Sequence, residues 1–196
     1  MEEPHKILHK YLDVPLLISW LSARQHAPEG GLAGRTNKLV DGCYSHWAGG
    51  CWPIIEAALN GFQTSSGDTK APVGSLYSRE GLIRYILCCC QQEQGGLRDK
   101  PEKGADSYHT CYVLAGLSSA QHSCHYSRQH PDHSAASLSA AFNWSTSVTT
   151  DGKEMNEREK TIFDEADRVS SIHPIFVLPW EVARECRTYF EEKQGF

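Results

Sequence analysis

The chain lacks what a nucleic-acid-binding or membrane-spanning protein needs. Lys and Arg number 19 against 24 Asp and Glu, a formal net charge of -5, so no basic excess is available to neutralise phosphates along a nucleic acid. No stretch approaches the roughly 18 uninterrupted apolar residues of a membrane helix. The longest apolar runs, Val14 to Ile18 and Tyr85 to Cys90, are core-sized. The N-terminus, Met1 to Lys6, has no signal-peptide layout. Polar–apolar alternation is sustained nowhere, which leaves no candidate strand. Eight cysteines are present, but Cys88, Cys89 and Cys90 are consecutive in an apolar helical run, where they serve as small hydrophobes. With no export signal, a reducing, cytoplasmic setting is expected. A chain of 196 residues has room for one domain with a real core.

What the sequence does contain is a segment that occurs twice, sixty-five positions apart. The first copy reads Gly30-Gly31-Leu32…Lys38…Asp41-Gly42-Cys43-Tyr44, the second Gly95-Gly96-Leu97…Lys103…Asp106-Ser107-Tyr108-His109. Arg35 lies opposite Lys100. A fixed period of this kind marks one supersecondary unit stacked on copies of itself. Helical spacing of apolar residues predicts helices over 14–25, 43–59 (with Pro53 as a kink or boundary), 78–92 with Ser78 as N-cap, and 107–121. A closing helix follows Pro179. Residues 62–77 read as a polar loop, and 122–160, rich in Ser, His and Thr, as a flexible insertion. The expected fold class is all-α: helix pairs joined by Gly-Gly loops, with apolar faces left uncovered at the ends.

Asp41 and Cys43 stand at the start of one predicted helix, where amides and the helix dipole favour a thiolate. His109 stands at the start of its repeat counterpart. If the repeats stack in parallel, these starts converge on one rim, and Asp, Cys and His form a three-ligand set that leaves zinc an open fourth position. Taken singly, a helix-start Asp is usually a cap, a Cys buried filler and a His a core hydrogen-bonder; their matched placement is what raises the metal reading. Arg35 and Lys38 precede Asp41 as Lys100 and Lys103 precede Asp106, a set of cations suited to a polyphosphate, against the alternative of a solvated basic loop. Asp99 is a candidate for Mg²⁺ on such a phosphate. Trp47, Trp52 and Tyr108 are candidates for an apolar slot, although aromatics at this spacing are more often core. His122, Cys124, His125, His130 and His133 form a second cluster, which reads as adventitious.

The runs Gly30 to Trp47, Gly95 to Lys103, Asp106 to Tyr112 and Gly116 to Ser118, with His173-Pro174 and the last helix, resemble the β subunits of protein farnesyltransferase, in the prenyltransferase α-α toroid family. The resemblance covers nearly the whole chain apart from 122–160. It implies a partial α-α toroid of helical-hairpin repeats spanning 1–196, the C-terminal portion of the barrel with the N-terminal part missing. A heterodimer with an α subunit is implied as well. The activity implied is transfer of farnesyl from farnesyl diphosphate to the cysteine thiol of C-terminal Cys-a-a-X motifs, through a zinc-bound thiolate. By position the zinc ligands would be Asp41, Cys43 and His109, with Cys43 a ligand and not the nucleophile. The diphosphate would meet Arg35, Lys38 and Tyr44. Lys100 and Lys103 would assist the leaving group, with Asp99 on Mg²⁺. Trp47 would line the isoprenoid pocket, and Tyr108 would border the peptide. His46 departs from the aromatic usual at its place. The run Tyr108 to Tyr112 favours the farnesyl branch over the Rab branch. Two other readings are a truncated non-catalytic paralogue that holds zinc and an α subunit without turnover, and a hydrocarbon cyclase, whose acidic initiating motif is not visible.

Overall fold

The structure, a computed structural model, describes residues 4–61, 74–126, 144–148 and 165–193. Its helices, in chain order, are α1 (Pro4–Tyr11), α2 (Val14–Ser22), α3 (Tyr44–Trp47), α4 (Cys51–Asn60), α5 (Arg79–Tyr85), α6 (Ser107–Gln121) and α7 (Trp180–Glu191). Side chains cap three of them where the sequence supplies a short polar residue: Asp13 accepts from Leu16 N, Ser78 from Gly81 N and Asp106 from His109 N. Residues 62–73 of the expected polar loop lie outside the described residues, as do 127–143 and 149–160 of the expected insertion.

Three expectations are corrected. The helix expected over 43–59 is two, α3 and α4, interrupted at Ala48–Gly50. The Gly49-Gly50 pair weakens the helix there, while α3 is anchored against α6 by Ser45. The Ser45 hydroxyl donates to Gly42 O at 2.6 Å, and a Cβ on Gly116 of α6 would meet it at 2.0 Å. The helix expected over 78–92 keeps α geometry only to Tyr85; Ile86–Cys90 form a π-helical turn. The expectation of no strands fails at 122–126 and 144–148, which pair as antiparallel β1 (His122–Tyr126) and β2 (Trp144–Val148). Their polar composition hid them: only His122 is buried in the pair, most of the rest are half-buried, and Tyr126 meets Trp144 edge-on across it.

The core runs between the repeats. Leu32, Trp52, Leu82, Ile86, Cys90, Leu97, Val113 and Leu117 are buried in one cluster, and α6 packs on α3 and α5. Trp52 is fully buried and stacks on Tyr77 at 5.7 Å, so it is core and not slot. A buried ion pair, Arg79–Glu56 at 2.6 Å, closes the C-terminal end of α6, where Arg79 also donates to the Ser119, Ala120 and His122 carbonyls. Large apolar side chains stay exposed on α1 and α2 (Ile7, Tyr11, Leu16, Trp20) and on α7 (Val182, Tyr189, Phe190).

Candidate metal centre

Each Gly-Gly loop bends through left-handed backbone. Gly30 has φ 82, Gly95 φ 92 and Gly96 φ 81, a region that costs a side chain but not glycine. Each loop then doubles back on Leu32 or Leu97, through the bridges Gln25–Leu32 and Gln91–Leu97. Further along, Asn37 (φ 58) and Glu102 (φ 70) make the same second turn in the two copies. Asp41 N donates to Leu32 O at 3.0 Å and Asp106 N to Leu97 O at 3.4 Å. The two Asp residues therefore arrive at equivalent places, Asp106 as the N-cap of α6 and Asp41 just ahead of Cys43, the N-cap of α3.

Between these starts the structure brings Asp41, Cys43 and His109 together, with their ligand atoms all within 4.8 Å of one another. His109 Nε2 lies 3.5 Å from Asp41 Oδ1. Among the described residues this is the single such grouping; His122, Cys124 and His125 of the second cluster do not form one, and His130 and His133 lie outside the described residues. His122 Nδ1 instead pairs with Ser118 O at 2.9 Å and His125 with Ser147 at 2.7 Å.

Asp106 completes the geometry. Its two carboxylate oxygens accept from the His109 amide and pair with His109 Nδ1, both at 2.7 Å. These contacts hold its own carboxyl below the usual range. A carboxylate on Nδ1 leaves Nε2 as the free ring nitrogen, the outer-shell arrangement common at metal-ligating histidines. Asp106 stands out in the sequence only as a mark of the repeat; the signal for its role is the Asp-x-x-His spacing from N-cap to third helical residue.

The expected thiolate-stabilising helix start is corrected. The helix after Cys43 has four residues, too few for a useful dipole. Burial first, then the hydrogen bond and charge of Asp41, push the thiol up to about 12. The Tyr108 hydroxyl, which accepts from Trp47 Nε1 at 2.9 Å, opposes this through a hydrogen bond to the sulfur. A buried thiol beside a carboxylate is held protonated by its protein neighbours, and a cation between them removes that penalty. The donor set of one sulfur, one imidazole nitrogen and one carboxylate oxygen fits zinc with a position to spare.

A cavity of about 620 Å³ adjoins the trio, lined by Gly34, Arg35, Asn37, Lys38, Leu39, Asp41, Tyr44 and Lys100. The structure thus unites Arg35, Lys38, Tyr44 and Lys100. Lys103 is exposed and outside that lining. Gly34 lets the Tyr44 ring lie where it does, since a Cβ there would meet it at 1.9 Å and push it aside. Asp99 is ion-paired with Lys100 through Oδ2, and its Oδ1 is buried without a hydrogen-bond partner. That orphaned oxygen is a donor suited to a divalent cation. On the other side, Trp47 and Tyr108 are about half exposed and pack on Tyr112, with ring centroids at 4.4 and 4.9 Å. His46 joins this group by stacking on Tyr112 at 5.3 Å, and burial lowers its pKa, so a neutral ring stands in for the aromatic.

Residues 4–178 match the family model for the prenyltransferase alpha-alpha toroid domain. The chain belongs to the prenyltransferase α-α toroid family. It is 51% identical over 196 residues to a protein farnesyltransferase subunit beta of Pyricularia oryzae, covering 98% of this chain and 35% of that protein. The corresponding subunit of Schizosaccharomyces pombe is 34% identical over 91% of this chain and 40% of its own length. A geranylgeranyl transferase type-2 subunit beta of Saccharomyces cerevisiae is 36% identical over 52% of this chain and 26% of its own. The toroid chain thus spans between a third and two fifths of the first two relatives. No helix among its described residues is long and apolar enough to cross a membrane.

Proposed function

We propose that this chain is the zinc-carrying C-terminal portion of a protein farnesyltransferase β subunit, which pairs with an α subunit and modifies proteins ending in Cys-a-a-X. The observation that carries the reading is the Asp41–Cys43–His109 trio beside a cavity ringed by Arg35, Lys38 and Lys100. Asp41, Cys43 and His109 would hold zinc. Bound there, zinc supplies the Lewis acidity that makes a substrate thiol a thiolate at neutral pH.

The chain's own residues account for the rest. Asp106 fixes the His109 ring, and Tyr108 borders the peptide cysteine beside the trio. Arg35, Lys38 and Lys100 stabilise charge that develops on the diphosphate as its bond to the first farnesyl carbon breaks, the kind of preorganised electrostatics that dominates many catalysed steps. Tyr44 contributes a hydroxyl to the same oxygens. Asp99, through its unpartnered Oδ1, would take Mg²⁺ on the diphosphate. Trp47 and Tyr112 offer ring faces to the isoprenoid. Lys103 acts only at longer range.

The test is zinc content together with farnesyl transfer to a Cys-a-a-X peptide, after co-expression with an α subunit. Stoichiometric zinc and transfer are the expected result. Zinc without transfer would instead favour the non-catalytic binding module, and absence of zinc would contradict both.

A further inference from the structure

One main-chain carbonyl joins the metal loop to the core. The Asp99 carbonyl accepts from Gly42 N at 2.7 Å, from the Tyr85 hydroxyl at 3.0 Å and from the Cys90 thiol at 3.7 Å. Gly42 sits between the ligands Asp41 and Cys43, so this bond fixes the peptide that carries both. There is no slack around it: a Cβ on Gly42 would meet Arg98 O at 2.7 Å, Val113 Cγ2 at 2.8 Å and Cys90 Sγ at 3.1 Å.

The two side-chain donors reach the carbonyl because of the π-helical turn at Ile86–Cys90. An i→i+5 register brings residue 90 over residue 85, where an α-helix would turn them apart. Such turns recur at functional sites. Tyr85 is 2% exposed and its ring packs under Gly31, so the hydroxyl has one well-defined direction. The same Asp99 carries the carboxylate that faces Lys100. One hydroxyl therefore braces both the ligand loop and the cation edge of the diphosphate cavity.

We propose that Tyr85, seconded by Cys90, is a positioning residue for the metal centre: its hydroxyl pins the Asp99 carbonyl onto the Gly42 amide and so holds Asp41 and Cys43 within reach of His109. This rests on the zinc reading given under Proposed function. Tyr85→Phe keeps the ring in the core and deletes only the donor. A core truncation on the same turn, Ile86→Val, softens the packing without touching the carbonyl.

The experiment measures zinc affinity of the full chain by chelator competition, and exchange of the Gly42 amide in the metal-free protein, for wild type and both variants. The expected result is a fall of about 10-fold or more in the zinc affinity of Tyr85→Phe, as for other partners outside the ligand shell. Gly42 exchange should be faster in that variant, and neither change should appear in Ile86→Val. Equal zinc affinity in Tyr85→Phe and wild type would overturn the positioning role and leave the zinc reading intact. An equal loss in Ile86→Val would overturn it too, by showing general softening. A wild-type chain that binds no zinc would overturn both.

Discussion

The two Gly-Gly repeats share one backbone path and end in opposite helices. Both turn through left-handed glycine, both double back on a leucine and both deliver an Asp to a helix start. After Asp41 comes a four-residue helix that breaks at Gly49-Gly50; after Asp106 comes a helix of 15 residues. The first Asp accepts from the Cys43 amide at 2.9 Å and lies 3.5 Å from His109 Nε2, and the second spends its carboxylate on a cap and on His109 Nδ1. Repetition builds the rim, and small departures from it divide the labour: the broken copy contributes Asp41 and Cys43 to the trio, and the unbroken one contributes His109.

Breaking the first copy has the largest expected effect. Under the proposed zinc reading, Cys43→Ala removes a ligand and should lower zinc affinity by more than the roughly 100-fold upper range for residues outside the ligand shell, read by chelator competition. Asp106→Asn tests the second copy more finely. Asn caps a helix about as well as Asp, so thermal stability should hold while zinc affinity falls about 10- to 100-fold. Equal stability and equal affinity would show that the carboxylate does not orient His109.

The contact between the copies is tested by Gly116→Ala. Its methyl would collide with Ser45 and lift α3 from α6, at a cost of about 1–3 kcal/mol for overpacking, visible in denaturant unfolding. The cations provide the smallest contrast. Arg35→Ala should weaken inorganic diphosphate binding about tenfold, in keeping with about 1.5 kcal/mol, the low end for a hydrogen bond to a charged group. Lys103→Ala, outside the cavity lining, should weaken it by less than about threefold, as a screened exposed charge does. Similar losses in both would show that Lys103 reaches the anion as closely as Arg35 does.

Much of this is legible in the sequence because of the repeat. Identical spacing locates both loops and the two Asp residues, with His109 one place beyond the counterpart of Cys43, since backbone turns that need glycine and caps that need Asp are written locally. Ser78 and Asp106 can be read as caps for the same reason. What the sequence hides depends on contacts between segments. The break after Trp47 combines the Gly49-Gly50 pair, which is visible locally, with the packing of α3 on Gly116, which is not. The π turn that carries Tyr85 and Cys90 to Asp99 has no local signature. Trp52 and Trp47 look alike in sequence, yet one is sealed in the core and the other half open to solvent. The raised pKa of Cys43 likewise comes from burial and Asp41, and not from the helix that follows.

The most direct test of the account is X-ray absorption at the zinc edge on the purified full chain and on Cys43→Ala. The account predicts one sulfur at about 2.3 Å with nitrogen and oxygen donors at about 2.0–2.2 Å, and loss of the sulfur signal in the variant. Two or more sulfur ligands, or a sulfur that survives Cys43→Ala, would contradict it.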